Sequence, residues 1–202
     1  MSEKLKIAIT GNIGSGKSSF SNFISDMGFP VINTDNLSKD ILKNDPVIKQ
    51  KIIKEFGNDS FINNDINKKF LTEKVFSNPA NVLKINSILH PRVIKEIKNL
   101  NEKYFDNHNL VFTEAALIYE ADMESLFDYV VLIFSDLEIR RKRKVNSENL
   151  SLEDFNKRNE NQINDEEKKK RADFIFQNNG SMEELKEKVN LLITILKGLT
   201  SK

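Results

Sequence analysis

Hydrophobic and polar residues follow two different spacings along this chain. Short apolar runs, with the length expected of buried strands, lie at residues 4–10, 30–33, 110–114, 129–134 and 174–177. Between these runs, apolar residues recur every three or four positions, which is typical of helices that bury one face. Strands that alternate with helices predict an α/β fold in which a parallel sheet is covered by helices on both faces.

The intervals between the predicted strands are unequal. No good strand lies between the second and the third, where helical patterns occupy 45–56, 66–76 and 79–104. We therefore expect a helical insertion at about 36–105, placed to bind a second substrate.

A second interruption, at about 140–171, is charged and poor in large apolar residues after Val145. A segment that buries little surface is expected to be mobile, and beside a ligand site it would serve as a lid. The remaining stretches, about 1–35, 106–139 and 172–202, then form the core of a single unit, and an apolar stripe at 182–196 predicts a helix packed on that core.

Residues 11–18 read GNIGSGKS and fit the phosphate-binding pattern G-x-x-x-x-G-K-[ST]. A predicted strand precedes them and a helical pattern at 18–27 follows, so backbone N–H groups and a helix N-terminus can surround an anion. This context favours a nucleotide-phosphate site over a structural glycine turn. Lys17 would reach the β- and γ-phosphates, and the Ser18 hydroxyl would ligate Mg²⁺. The residues expected to contact the nucleotide are Asn12, Ile13, Gly14, Ser15, Gly16, Lys17, Ser18 and Ser19.

Composition narrows the possible partners and chemistry. The chain has 202 residues, is 39% hydrophobic and 30% charged, and carries a formal net charge of +1, which gives no argument for a nucleic-acid or membrane partner. With no cysteine, disulfides, thiol catalysis and cysteine-ligated metals are excluded, and two histidines are too few for a histidine-rich metal site. No apolar stretch is long enough for a signal peptide or a membrane span, so a cytoplasmic location is expected.

Three carboxylates lie at or shortly after the ends of predicted strands, where ligands bind in an open parallel sheet. Asp35 could accept a hydroxyl proton during phosphoryl transfer, or it could cap the helix at 36–43. Glu114 ends the third strand, the usual position of a carboxylate that holds Mg²⁺, often through water. Glu120 is a second candidate, and the alternative is that both glutamates are simply solvated.

The basic run 140–144 could be a solvated helix face or a nucleic-acid patch. Its position after the fourth strand favours phosphate contact, and we expect one or two of Arg140, Arg143 and Arg158 to touch phosphate. His90 precedes a proline, which favours a capping or packing role over catalysis. Asn178 belongs to a predicted turn, or it faces the purine of the nucleotide.

Taken in order, these segments resemble the dephospho-CoA kinases over nearly the full length of the chain. The family's opening, Thr-Gly-x-Ile-Gly-Ser-Gly-Lys-Ser, corresponds to 10–18, and its Val-Ile-Asp-x-Asp segment to 31–35. Its Ile-Leu-His-Pro segment corresponds to 88–91, and its Arg-Ile-x-x-Gln segment is similar to 158–162. Its Ala-Asp-x-x-Ile-x-Asn-x-Gly ending is similar to 172–180, and this ending and the His-Pro pair are more selective than the phosphate loop.

The resemblance implies a five-stranded parallel sheet of the nucleotide-kinase type, with ATP and Mg²⁺ as cofactors. Asp35 would be the general base that takes the proton from the ribose 3′-hydroxyl of dephospho-CoA, which attacks the γ-phosphate beside Lys17. The insertion would hold this acceptor, and the segment 140–171 would close over ATP. We expect a monomer with no nucleic-acid or membrane partner. The implied acceptor-binding residues are Asp35, His90, Glu114, Glu120 and Arg158.

The chain departs from the family pattern at several positions. Asn33 replaces the first Asp of the Asp-x-Asp pair, and Lys39 replaces an Arg. After the third strand, Glu114 replaces Asp, Ala116 replaces Pro, and 145–149 includes a few extra residues. These changes leave the reaction class intact and bear on substrate contacts.

Two other functions remain open from the sequence. A nucleoside or nucleotide kinase on the same fold would need an acceptor pocket shaped for a base, against which the insertion and the His-Pro pair argue. The other is a nucleotide-dependent switch. Guanine-specific switches normally show Asn-Lys-x-Asp after a late strand, and the Asn-Lys pairs at 67–68 and 156–157 lack the final Asp and do not follow a strand.

Overall fold

The computed structural model describes residues 3–63, 65–148 and 150–201, without the side chains of Phe76, Ser147 and Glu148. Its strands are β1 (Leu5–Thr10), β2 (Val31–Asn33), β3 (Phe61–Ile62), β4 (Asp65–Ile66), β5 (Leu110–Glu114), β6 (Tyr129–Phe134) and β7 (Phe174–Gln177). Its α-helices are α1 (Lys17–Asp26), α2 (Thr34–Asn44), α3 (Pro46–Phe56), α4 (Lys68–Phe76), α5 (Pro79–Tyr104), α6 (Leu137–Glu148), α7 (Leu152–Glu160), α8 (Asp165–Arg171) and α9 (Met182–Thr200).

The five longer strands form one sheet in the order β2-β5-β1-β6-β7. Strand β1 is central and pairs in parallel with β5 on one side and β6 on the other, and β6 pairs in parallel with β7. The predicted five-stranded parallel sheet is confirmed. Because β1 is the middle strand, the phosphate loop (residues 11–18) leaves the sheet at its centre, between the ends of β5 and β6.

Apolar packing fixes helix α1, which starts at the end of the phosphate loop. Phe20 and Ile24 of α1 are fully buried against the strands and against α9. Helix α9 contributes the predicted apolar stripe, in which every member is buried: Leu185, Val189, Leu192, Ile193 and Leu196. This core holds the N-terminus of α1 at the sheet edge where the site is built.

Residues Asn33–Leu100 form a compact unit of their own, separate from the unit that contains the rest of the chain. It contains helices α2 to α4, helix α5 as far as Leu100, and the antiparallel hairpin β3-β4, which we did not predict from the sequence. Each strand of this hairpin has two residues, too few for an alternating pattern to be visible. Helix α5 continues through Pro91 without a break.

The described residues of the segment 140–171 include most of α6 and all of α7 and α8. It buries more than its composition suggested, because the side chains of Phe155 and Lys168 are fully enclosed and Arg140 is 5% exposed. Its closure over a nucleotide stays a prediction, as does the acceptor-binding role of 36–105.

Candidate active site

The phosphate loop has the backbone conformation that its glycines allow. Gly14 and Gly16 have φ values of 79° and 93°, in the left-handed region that other residues avoid. A Cβ on Gly14 would lie 2.6 Å from the carbonyl oxygen of Arg140, and one on Gly16 would collide with the Asn178 amide. Glycine is therefore required at both positions by conformation and by the close approach of neighbouring groups.

A cavity of about 430 Å³ lies against the loop and the first turn of α1. This volume is within the usual range for small-molecule sites. Arg143, Asn178 and most of the predicted nucleotide-binding residues line it, whereas Ile13 and Arg140 do not. The lining residues are Asn12, Gly14, Ser15, Gly16, Lys17, Ser18, Ser19, Arg143, Lys144, Asn178 and Met182.

Glu114 is not in the cavity lining, but it contacts two lining residues at the position where a metal would be expected. The Ser18 hydroxyl donates to Glu114 Oε1 over 2.6 Å, and Lys17 Nζ lies 3.9 Å from the same oxygen. Glu114 is only 5% exposed, so the reading of this glutamate as a solvated surface residue is wrong. A hydroxyl beside a carboxylate suits Mg²⁺, which takes one or two protein oxygens together with phosphate oxygens and water. Among the described residues, no cluster of three or more acidic or histidine side chains forms a metal cage.

Residues from the 140–171 segment hold the phosphate loop from one side. The backbone N–H of Ile13 donates to Gln162 Oε1 over 2.8 Å, and Asn12 Nδ2 donates to the Ile163 carbonyl over 3.1 Å. Gln162 and Ile163 were not predicted as site residues. Gln162 was visible only as the last residue of the family's Arg-Ile-x-x-Gln segment.

The candidate arginines occupy different environments. Arg140 is buried, and its guanidinium donates to the carbonyls of Ile13 and Ser135 and to Asn159 Oδ1. It therefore supports the loop from behind, and burial lowers its pKa. Arg143 lines the cavity, and burial lowers its pKa as well. Arg158 is exposed on α7, and its contact with phosphate stays a prediction.

Glu120 is part of an ion pair away from the cavity lining. Its Oε1 accepts from the Ile163 N–H over 2.8 Å and lies 2.9 Å from Nζ of Lys168. The reading of Glu120 as a solvated residue is therefore wrong, and its contact with substrate stays a prediction. Lys168 is not predicted as a site residue, because it belongs to four consecutive basic residues, a pattern typical of a solvent-exposed helix face.

Asn178 connects the end of β7 to the phosphate loop. Its Nδ2 donates to the Ser15 carbonyl over 2.8 Å, and its own carbonyl accepts from the Ser135 hydroxyl. The side chain is 4% exposed and lies on the cavity. Contact with a purine stays a prediction.

In the second unit, Asp35 lies in the first turn of α2 and its side chain is exposed. The cap of this helix is Asn33, whose side chain accepts from the Asn36 N–H over 2.9 Å. The capping alternative for Asp35 is therefore wrong: the helix begins at Thr34, earlier than predicted, and the residue that departs from the family pattern caps it.

His90 lies inside α5, half-buried, and burial lowers its pKa. A cavity of about 550 Å³ in this unit is lined by residues of α2, α3 and α5. There Arg92 pairs with Asp45 and Glu96, at 2.7 Å in each case. Among the helices that the structure describes, none is long and apolar enough to cross a membrane.

Comparisons with known proteins identify the family and support the fold. The family model for dephospho-CoA kinase matches residues 5–184. The dephospho-CoA kinase of Chlamydia caviae is 36% identical over 203 residues, which cover 98% of this chain and 99% of that protein. The solved structure of TT1252 from Thermus thermophilus superposes with a TM-score of 0.81 at 29% identity, covering 96% of this chain and 98% of that one.

A solved dephospho-CoA kinase from Campylobacter jejuni has a TM-score of 0.64 at 26% identity and covers 98% of this chain and 99% of its own. The matched segment includes the phosphate loop, Glu114, Gln162 and Asn178. The chain belongs to the dephospho-CoA kinase family.

Proposed function

We propose that this chain transfers the γ-phosphate of ATP to the ribose 3′-hydroxyl of dephospho-CoA, which gives coenzyme A. The proposal depends on one observation: at the end of the phosphate loop, Glu114 contacts both Lys17 and Ser18, in a member of this family. Such an arrangement binds nucleotide phosphates together with a divalent cation.

The phosphate loop binds and orients the nucleotide. Its backbone N–H groups and the N-terminus of α1 hold the phosphate oxygens, and Lys17 places its charge on the β- and γ-phosphates. Arg143, on the cavity wall, supplies a further positive charge to the transferring group.

Ser18 and Glu114 are the residues that would hold Mg²⁺. When bound, this ion neutralises the charge that develops on the phosphate oxygens. Ser18 would contribute its hydroxyl oxygen and Glu114 a carboxylate oxygen, directly or through water. These two oxygens are 2.6 Å apart, close enough to contact the same ion, which supports this assignment.

Asp35 is the proposed general base. As the acceptor oxygen forms its bond to the γ-phosphorus, the bond from that phosphorus to the bridging oxygen of ADP breaks, and the hydroxyl proton passes to the Asp35 carboxylate. Asn33, not Asp35, caps helix α2. The exposed side chain of Asp35 is therefore available for this transfer. The acceptor itself would be held by the segment 36–105, which includes His90, with Glu120 and Arg158 as further candidate contacts.

The direct test offers the purified protein ATP and Mg²⁺ with dephospho-CoA, and separately with a panel of nucleosides and nucleotides. We expect coenzyme A as the product, with the phosphate assigned to the 3′ position by ³¹P NMR. Phosphorylation of a nucleoside with no reaction on dephospho-CoA would favour the rival kinase. ATP-dependent binding of a protein partner without turnover would favour a switch.

A monomeric state and a cytoplasmic location are the remaining parts of the proposal. Sedimentation analysis of the purified protein tests the first, and fractionation of cells that express it tests the second.

A further inference from the structure

Lys168 is a fully buried lysine outside the cavity lining. Its side chain is 0% exposed, and its Nζ lies 2.9 Å from Glu120 Oε1 and 3.3 Å from the carbonyl oxygen of Ala116. Lysine is almost never enclosed to this extent unless its charge is paired. The mechanism proposed above gives this residue no part.

The groups that Lys168 contacts are close in sequence, or hydrogen-bonded, to the residues proposed to bind Mg²⁺ and phosphate. Ala116 stands two residues after Glu114, and its carbonyl also accepts from the Thr10 hydroxyl at the end of β1. A charge held at this carbonyl fixes the chain immediately after the carboxylate that accepts from Ser18.

The second route runs through Glu120. The same carboxylate oxygen that meets Lys168 accepts from the Ile163 N–H, and the Ile163 carbonyl accepts from Asn12 of the phosphate loop. Lys168, Glu120, Ile163 and Asn12 thus form a continuous polar chain from α8 to the loop.

The charge of Lys168 also interacts with that of Lys17 in the phosphate loop. Burial is the main cause that lowers its pKa, Glu120 opposes the shift, and the positive charge of Lys17 adds to the lowering. Buried ion pairs can often be exchanged for apolar side chains without loss of stability. The burial of this pair therefore does not require a purely structural role, and its contacts connect Lys168 to residues of the site.

We propose that Lys168 is a positioning residue for phosphoryl transfer: by holding the Ala116 carbonyl and Glu120, it sets Glu114 for the metal and the phosphate loop for ATP. The inference rests on the proposed function, because it assigns the site to Mg²⁺ and ATP. It differs from a structural role in one respect. Removal of the charge should disturb ATP binding even when the fold is restored.

The test uses three variants of the full-length chain. Lys168→Met removes the ammonium and leaves Glu120 buried beside it. Glu120→Gln/Lys168→Met removes both charges, so no uncompensated charge is left, and keeps a side-chain oxygen that can accept from the Ile163 N–H. Lys170→Met changes an exposed lysine of the same helix and is the matched control.

Each protein is titrated with a fluorescent ATP analogue in the presence of Mg²⁺, without acceptor, and its thermal unfolding midpoint is recorded. We expect the dissociation constant to rise about tenfold or more in Lys168→Met, the scale of effects from groups that orient metal-site ligands. The double variant should regain most of the lost midpoint and keep the weakened binding. Lys170→Met should match the unaltered protein.

Recovery of ATP affinity together with the midpoint in the double variant would overturn the proposal, and so would unaltered affinity in Lys168→Met. Failure of the double variant to fold would also overturn it, because the pair would then be a requirement of the fold. The readout needs no acceptor. An unaltered protein that binds ATP but leaves dephospho-CoA unphosphorylated would therefore refute the proposed acceptor, while the effect of Lys168 on ATP binding would still be tested.

Discussion

The Ser18 hydroxyl donates to Glu114 Oε1 across 2.6 Å, although the two residues lie 96 positions apart in the chain. Their meeting follows from the strand order. Strand β5 pairs directly with β1, so the residue that ends β5 comes beside the loop that follows β1. Helix α1, held by its buried face, then points its first turn at the same place. The sheet thereby brings together the residues that are proposed to hold the metal and the phosphates.

Glu114→Gln tests the metal assignment. The amide keeps the size of the side chain and loses its charge, so the Mg²⁺ concentration that gives half-maximal activity should rise about 10- to 100-fold, the usual scale for altered metal-site residues. The measurement is a Mg²⁺ titration of activity at saturating ATP. Glu102→Gln, an exposed glutamate of the same unit, is the control and should titrate like the unaltered protein. An unchanged Mg²⁺ requirement in Glu114→Gln would remove this residue from the metal site.

The fold and the phosphate loop could be predicted from the sequence because their signals are local. A run of apolar residues marks each long strand, and the glycines of the loop are required by backbone conformation at their own positions. The hairpin β3-β4 is too short to leave a pattern. Asn33 and Asp35 are both suitable caps, and only the start of α2 at Thr34 decides between them.

The roles of basic side chains could not be predicted, because tertiary packing decides them. Arg140 and Arg143 lie three positions apart on α6, yet one supports the loop from behind and the other lines the cavity. Lys168 has basic neighbours on its C-terminal side, and only the packing of α8 shows that it is the buried one. A run of consecutive basic residues, unlike an apolar stripe, does not show which of its members faces the interior and which faces solvent.

The two arginines of α6 should respond differently to the same substitution. Arg140→Gln leaves Asp165 and the Ile13 carbonyl without their charged partner, so we expect the free energy of unfolding to fall by about 3–5 kcal/mol. Arg143→Gln should leave stability nearly unchanged and weaken ATP binding about tenfold, because it removes a charge from the cavity wall. Urea denaturation and ATP titration of both variants separate the two effects. Equal losses of stability would contradict the distinction.

Asp35→Asn tests the general base. The amide cannot accept the acceptor proton, so kcat should fall by about 10²- to 10⁴-fold while the affinity for ATP stays close to that of the unaltered protein. Asn33 caps α2, so the substitution should not unfold this helix, and circular dichroism can verify that point. Asp59→Asn, an exposed aspartate of the same unit, is the control. Near-normal turnover in Asp35→Asn would exclude Asp35 as the base.

The half-buried His90 should make stability depend on pH. Burial lowers its pKa below the ordinary value of 6.5, so below that pH the unfolded chain binds a proton that the folded chain resists. The contribution is therefore fully present above pH 6.5 and is lost as the pH falls through the lowered folded pKa. Urea denaturation at pH 8 and at pH 5.5 should give a larger drop in the free energy of unfolding for the unaltered protein than for His90→Gln. The difference between the two proteins at pH 8 reports packing alone and serves as the reference. An identical drop in both proteins would show that His90 does not resist protonation in the folded chain.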